Sequence, residues 1–462
     1  ARNGRCRAAL ACQRCRGGRR PIHRAGHQRM DFQGGPSPGN QGLHGTAGRT
    51  RRGRRGVGRH VGALSSIGIR ANSIGLGRSG LRLWIEIGRR LVILNELPGM
   101  CGISGFYGSA TAGDVAVVER MGDVMGHRGP DHKGLWSDER YVVLGHRRLA
   151  IVDLTAAGQQ PMVSNCGRYT LVYNGEIYNH KDLRAELESE GGSFEWRGHS
   201  DTETLLAGLR HWGVKGALQR LNGMFAFALW DKAERALYLA RDRMGEKPLY
   251  YGSNGGSFLF GSELKSLRAH PHWQDNINRN SLALYMRHKY VPTPWSIYQG
   301  ISKLLPAHFV VVREAGHVVS KPQCYWDLGQ IAESGLTEAK GSSEELIDEL
   351  DELLRDAVGK RMAADVPLGA FLSGGIDSTT VVALMQAQSV RPIKTFTIGF
   401  HEKGFNEAEH AKAVSKYLGT EHTELYVTSA EAMAVIPRLP TIWDEPFSDS
   451  SQIPTLLVSQ LA

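Results

Sequence analysis

Two domains of different architecture are predicted from this 462-residue sequence: a layered α+β domain, then the beginning of an α/β domain. Three observations carry that prediction. Between Cys101 and Leu267, short apolar runs recur with turn residues between them, as in antiparallel sheets. Two helical stretches interrupt those runs, which suits helices laid over sheet faces. Further on, an apolar strand, a Ser-Gly-Gly loop, a helix start and a second apolar strand follow one another, the rhythm of an α/β unit.

The first hundred residues belong to neither domain. They hold 20 Arg, no Lys and three acids (Asp31, Glu86, Glu96), a net charge of +17 against −7 for the remainder. The chain's net +10 is therefore the leader's, and the body reads as a mildly acidic, ordinary soluble protein. Residues 1–99 are rich in Gly and Arg, poor in aromatics and without period, so they are expected to be disordered. Arginine without lysine suits a GC-rich upstream stretch read as protein, and a misplaced start is the expected origin. A nucleic-acid-binding arm and an Arg-rich transit peptide are the alternatives. Leu81–Leu97 carries Arg82, Glu86, Arg89, Arg90 and Glu96 and does not span a membrane. Elsewhere no stretch reaches the roughly 18 apolar residues that spanning requires. The six cysteines (6, 12, 15, 101, 166, 324) form no dense framework, which fits free thiols in a reducing cytoplasm. Cys12-x-x-Cys15 with His23 and His27 has a faint zinc-like spacing, but the gap between the pairs is too short for a finger loop.

Strands are expected at Tyr141–Leu144, Tyr169–Tyr173, Phe225–Leu229, Ala236–Ala240 and Phe258–Phe260, with helices near Lys181–Glu190 and Thr202–Trp212. Residues 101–290 are read as the first domain. Residues 291–342, broken by Pro292, Pro294, Pro306 and Pro322, are read as a connecting region. Residues 343–462 form the second domain, opening with a helix over Ser343–Gly359, in which Leu346, Leu350, Leu353, Leu354 and Ala357 recur at helical spacing. About two strands are expected there, with Lys394–Phe400 the second and a helix over Asn406–Gly419 after it.

Cys101 stands directly after Met100, and a methionine before so small a residue is normally trimmed. The freed α-amine, with an ordinary pKa of about 7.7–8.0, would take the thiol proton of its own residue. Three further segments belong with it: Arg147-Arg148-Leu149-Ala150-Ile151-Val152-Asp153, Tyr173-Asn174-Gly175-Glu176-Ile177-Tyr178-Asn179 and Gly198-His199-Ser200-Asp201-Thr202-Glu203. With His127–Asp131 and Leu221–Ala226, they make Cys101–Leu267 resemble the class II (N-terminal nucleophile) glutamine amidotransferase domain. That resemblance implies a four-layer αββα sandwich. It implies catalysis by Cys101, with the Asn174 side chain and Gly175 N–H stabilising the oxyanion. It also implies a glutamine site of Arg148, Leu149, Ala150, Ile151, Val152, Asn174, Gly175, Glu176 and Asp201. Arg148 would take the α-carboxylate and Asp201 the α-ammonium. For Arg148 alone a surface ion pair is the plainer reading, and for Asp201 a helix N-cap. His127 and His146 are read as structural.

Val366–Thr380 reads as strand, glycine loop and helix start. It has no Gly-Lys-Ser/Thr and so is not a Walker A site. Backbone N–H groups of such a loop cradle an anion at a helix N-terminus. Ser373-Gly374-Gly375-x-Asp377-Ser378 resembles the pyrophosphate loop of ATP pyrophosphatases. The resemblance implies ATP at Leu372, Ser373, Gly374, Gly375, Asp377, Ser378 and Ile398, with Asp377 holding Mg²⁺ or capping the helix. His422 is read as a packing residue.

Together the halves resemble glutamine-hydrolysing asparagine synthetases, and Trp443–Pro454 looks particularly like bacterial members. The implied substrates are glutamine, ATP and aspartate, and a homodimer is compatible. The open alternatives are another acceptor carboxylate (a sugar acid of surface polysaccharide or a β-amino acid), a glutaminase-only fragment, and an Arg-rich nucleic-acid-binding protein. Ending at Ala462, before the family's second Gly- and acid-rich loop, the chain as written is expected not to complete amide synthesis and to expose apolar surface.

Overall fold

A computed structural model describes residues 100–108, 114–191, 194–338, 341–401 and 406–462. The Arg-rich leader and its Cys12, Cys15, His23 and His27 lie outside the described residues.

Six strands form one antiparallel sheet, in the order β10-β8-β9-β1-β3-β2. They are β1 (Gly102–Tyr107), β2 (His132–Ser137), β3 (Val142–Arg148), β8 (Tyr250–Asn254), β9 (Ser257–Gly261) and β10 (Ile301–Lys303). A second antiparallel sheet runs β12-β11-β7-β6-β5-β4, with β13 also paired to β11. Its strands are β4 (Met162–Val163), β5 (Tyr169–Ile177), β6 (Gly223–Asp231), β7 (Ala236–Arg241), β11 (His308–Arg313), β12 (Val318–Val319) and β13 (Gln323–Cys324).

Three cores fix the layering. Ile103, Tyr107 and Leu144 of the first sheet meet Val172, Ala228, Trp230 and Val310 of the second in one buried cluster, so the sheets stack face to face. The outer face of the first sheet packs on α1 (Asp114–Asp123) through Val117, Val118 and Met121. The outer face of the second packs on α2 (His180–Ser189) and α3 (Asp201–Arg220) through Leu183, Leu205 and Leu209. The domain is thus an αββα sandwich. α3 runs eight residues past its expected end and turns at Gly213 (φ 69°), where glycine meets the left-handed backbone without strain.

The stretch expected to connect the domains is corrected here. Within 291–342, β10 pairs with β8 and β11 with β7, and the buried Tyr325 donates its hydroxyl to Arg241 O at 2.8 Å. The prolines therefore punctuate turns between short strands of both sheets. Short helices α4 (Leu264–Arg268) and α5 (Arg279–His288) precede this segment, and α6 (Leu328–Glu338) leaves the sandwich.

The second domain opens with α7 (Ser343–Arg361), whose Ser342 and Glu345 form a reciprocal capping box. Its Leu346, Ile347, Leu350, Leu353 and Leu354 are exposed in the described structure. Three strands, not two, then form a parallel sheet in the order β14-β15-β16: β14 (Gly369–Phe371), β15 (Lys394–Phe400) and β16 (Glu421–Val427). Glu421 and Glu424 on the half-exposed third strand blur its apolar period. Helices α8 (Ile376–Ala387) and α9 (Ala408–Leu418, closed by Gly419 at φ 75°) alternate with the strands, and α10 (Ser429–Val435), α11 (Leu439–Ile442) and α12 (Gln452–Leu461) follow. Among the described residues, no helix is long and apolar enough to cross a membrane.

The turn after β7 is held by one buried carboxylate. Asp242 accepts N–H groups of Phe225 (3.1 Å), Met244 (3.1 Å), Glu246 (2.8 Å) and Lys247 (2.9 Å). Beside it, the Arg241 guanidinium donates to the carbonyls of Gly245, Lys247 and Leu304. Asp242→Ala would leave these N–H groups without their acceptor and is expected to lower stability by about 3 kcal/mol in urea unfolding, with Asp242→Asn costing less.

Candidate active site

Cys101 sits at the head of β1, where the two sheets meet. Its Sγ is 3.4 Å from the Leu149 N–H nitrogen and 3.5 Å from the Leu149 carbonyl oxygen. Arg128, fully buried, donates from Nε to the Cys101 carbonyl at 3.0 Å and from its guanidinium to Glu263 at 2.8 Å. Burial pushes the Cys101 thiol above its ordinary value, while the Leu149 amide, Lys247 and Arg128 pull it back.

A cavity of about 290 Å³ opens onto the thiol, at the lower edge of the range for small-molecule pockets. Its wall is β5, and strand geometry decides what that wall presents. In β6, the N–H and C=O of Phe225 both turn to Asp242 and so away from β5. Phe225 faces Gly175 in register, so this is a pair without mutual hydrogen bonds, and the Gly175 N–H likewise points away from β6. The same side carries the N–H of Tyr173, taken by Gln160 Oε1 at 2.6 Å, and that of Ile177, taken by Asp201 Oδ2 at 2.9 Å. β4 pairs only with Thr170 and Leu171, so no strand runs alongside Gly175 there. A Cβ at Gly175 would run into the Met224 carbonyl. Next to it Asn174 is 1% exposed, and its side-chain N–H₂ is buried without an acceptor among the described residues. A buried donor left open is costly unless something else fills it.

Arg148 reaches the cavity from the end of β3. Its guanidinium donates to Thr155 O at 3.2 Å and to Asp153 O, which fixes its plane. The surface ion pair is thereby replaced by a buried, backbone-held cation. Asp201 faces it across the cavity, accepting the Tyr173 hydroxyl at 2.7 Å. Burial raises the Asp201 carboxyl, so a cation brought beside it would be welcome. Ser200, not Asp201, caps α3, since its side chain accepts the Glu203 N–H. Glu176 lines the same wall, and burial raises its carboxyl against the pull of Lys247.

Leu149, Ile151 and Val152 line this cavity, whereas Ala150 does not: its N–H goes to Asp131 at 2.8 Å and it lines the neighbouring cavity. His146 and His127 are structural. His146 donates from Nε2 to Tyr173 O (3.0 Å), and burial lowers it to about 3, so it stays neutral. His127 pairs with Glu263 at 3.1 Å. Sequence reasoning missed Lys247, Gln160 and Thr202, which also line the cavity. Lys247 is buried, its ammonium lowered by that burial, and its Nζ lies 2.9 Å from the Met100 sulfur. Its position after the Asp242-bound turn is the signal that could have found it.

In the second domain, Leu372 N–H donates to Phe396 O at 2.9 Å, which continues β14 into the loop beside β15. Leu372 and Ile398 thus lie toward the carboxyl ends of the parallel strands, where open α/β sheets bind ligands. Gly374 has φ 79°, and a Cβ there would come within 2.8 Å of the Ala411 nitrogen. Ser373 and Ser378 hydroxyls meet at 3.1 Å across the loop. Gly375 is the cap residue of α8, and Asp377 stands exposed in its first turn, so the capping role expected of Asp377 is not the one found. Among the described residues, no group of three His, Cys, Asp or Glu could hold a metal on its own.

Comparison with known proteins matches residues 100–326 to a glutamine amidotransferase domain and 349–462 to asparagine synthase. Asparagine synthetase (glutamine-hydrolyzing) 1 of Bacillus subtilis is 35% identical over 79% of this chain and 56% of its own length. A Methanocaldococcus jannaschii protein carrying the same family name, numbered 2, is 35% identical over 79% of this chain and 72% of its length. Amidase chry2 of Gibberella zeae is 32% identical over 74% and 53%. The solved glutamine phosphoribosylpyrophosphate amidotransferase of B. subtilis is a distant likeness, at 16% identity and a TM-score of 0.36 over 70% of this chain and 65% of that one. The chain spans little more than half the length of the first of these relatives. On its two matched domains and its likeness to these relatives, the chain belongs to the family of glutamine-hydrolysing asparagine synthetases.

Proposed function

We propose that the chain hydrolyses glutamine at Cys101 and carries the nucleotide loop that activates a carboxylate, aspartate, with ATP. The observation that supports this best is the open, buried Asn174 amide beside the Gly175 N–H, both facing the cavity that holds the thiol.

In this reading the Cys101 sulfur attacks the glutamine side-chain carbonyl while the α-amine of Cys101 takes the thiol proton. The oxyanion forms against Asn174 and Gly175. The α-ammonium returns its proton to the amide nitrogen, ammonia leaves as the C–N bond breaks, and water then cleaves the thioester to release glutamate and the Cys101 thiol. Arg148 and Asp201 hold the substrate's α-carboxylate and α-ammonium, and the substrate's cation balances the buried Asp201 charge. All this requires the Met100–Cys101 bond to be cut, which also removes the Met100 side chain from the cavity wall.

The second half reads as an ATP-pyrophosphatase domain. The N–H groups of Ser373–Gly375 and the start of α8 would cradle the pyrophosphate, with Leu372 and Ile398 flanking the nucleoside. Mg²⁺ commonly binds through one or two carboxylates together with phosphates, and the exposed Asp377 fits that use. Bound there, Mg²⁺ would offset phosphate charge. Aspartate and ATP would give the acyl-adenylate and pyrophosphate, and ammonia would displace AMP to form asparagine. A second cavity of about 430 Å³ separates Leu149, Ile151 and Glu176 from Val366–Gly369, a place for ammonia to pass.

Asn174→Ala is expected to lower glutamine turnover by about 10²–10³ in kcat with KM nearly unchanged. Loss of substrate affinity alone would speak against the oxyanion role. The thiols give a second check. Burial raises the Cys101 thiol, whereas the Ser164 hydroxyl holds the exposed Cys166 thiol below its ordinary value. With Met100 still attached, iodoacetamide near pH 7.5 should label Cys166 well before Cys101 in peptide maps. Freeing the Cys101 amine should start glutaminase activity.

A further inference from the structure

We propose that Asp365, from the second domain, is a positioning residue of the glutamine site: it holds the 151–155 segment that in turn sets Arg148. The proposal rests on the reading of this cavity as a glutamine site.

Residue 365 grips that segment at two points and His199 at a third. Its carboxylate Oδ2 accepts the Asp153 N–H at 2.8 Å. The same oxygen lies 3.0 Å from His199 Nε2, which must donate, because a carboxylate only accepts. Its own N–H donates to Ile151 O at 3.0 Å. The segment so held is the one that fixes Arg148: the carbonyls of Asp153 and Thr155 receive the guanidinium. Ile151 and Val152 of the same segment line the cavity.

The first domain does part of the work alone. Asp153 is fully buried, and its carboxylate accepts the N–H of His199 at 2.9 Å and the N–H of Thr155 at 3.2 Å. That leaves its backbone N–H, which points out of the sandwich, to be satisfied by the second domain. His199 stands between the two carboxylates, its Nδ1 3.7 Å from Asp153 and its Nε2 on Asp365. Removing Asp365 would leave Arg148 in place but free its supporting carbonyls to shift, so the loss should fall on binding rather than on chemistry at Cys101. Four residues beyond Asp365 the chain enters β14, the strand that leads into the Ser-Gly-Gly loop. One stretch of chain therefore serves the edges of both sites.

The test compares wild type, Asp365→Ala and Asp365→Asn, each processed so that Cys101 carries a free α-amine, by amide hydrogen exchange and glutamine kinetics. Asp365→Ala should speed exchange across 149–155 and raise KM for glutamine about ten-fold, with kcat within about two-fold. Asp365→Asn keeps an oxygen for the Asp153 N–H and should restore most of both. Unchanged exchange and KM in Asp365→Ala would overturn the proposal, as would a fall in kcat with KM untouched. If the wild type does not turn over glutamine, the glutaminase reading fails, and exchange alone then decides whether Asp365 holds the segment.

Discussion

A fully buried guanidinium anchors this structure. Arg128 has no exposed surface, and a charge so placed costs several kcal/mol unless its partners are equally well placed. It is met by Glu263, which Lys265 pairs at 2.6 Å, and Lys265 is met in turn by Asp444 of the second domain at 3.2 Å. Two cations and two carboxylates alternate, and each removes the penalty of its neighbours. Although burial opposes it, the His127 hydrogen bond with the Arg128 and Lys265 charges holds the Glu263 carboxyl well below the usual range. At one end of the series Arg128 grips the Cys101 carbonyl, and at the other the Trp443-Asp444-Glu445 segment docks on the sandwich. Glu445 adds contacts to the Ile297 N–H at 2.7 Å and to Lys303. The Cys101 backbone is thus set by electrostatics that run through both domains.

Backbone geometry then does what side chains alone could not. Along β5, the N–H groups of Tyr173, Gly175 and Ile177 turn to one side. The outer two are occupied by Gln160 and Asp201, which pins the strand, and the middle one is directed at the cavity. Preorganisation of this kind is most effective where water is excluded and reorientation would be slow.

Much of this was legible from residues. Short apolar runs bounded by turn residues placed five strands within a few residues, because each buries both faces, one in the central core and one against helices. The cavity residues were legible as motifs, because Arg, Asn-Gly and Asp in that order have few structural reasons to recur together. Other parts were hidden. β1 is buried throughout, but Gly102, Ser104 and Gly105 break its apolar run. The strands beyond residue 291 are short and lie between prolines that read as linker punctuation. β16 carries Glu421 and Glu424 on opposite faces, which breaks its apolar run. Lys247, Arg128 and Asp365 act through distant partners, and no local spacing announces a contact that spans 212 residues, as Asp365 does to Asp153.

The nine-residue ladder between β5 and β6 has a consequence for how such a chain can diversify. Side chains and N–H groups both alternate with period two along it. Losing or gaining one residue between Tyr169 and Asn174 would turn the Asn174 side chain to the helix-facing side of the sheet and aim a different N–H at the thiol. Substitutions around the rim can accumulate without touching that parity. Length cannot drift here, so lineages descending from this scaffold are free to vary what they bind beyond the cavity while inheriting an unchanged count of residues along one strand.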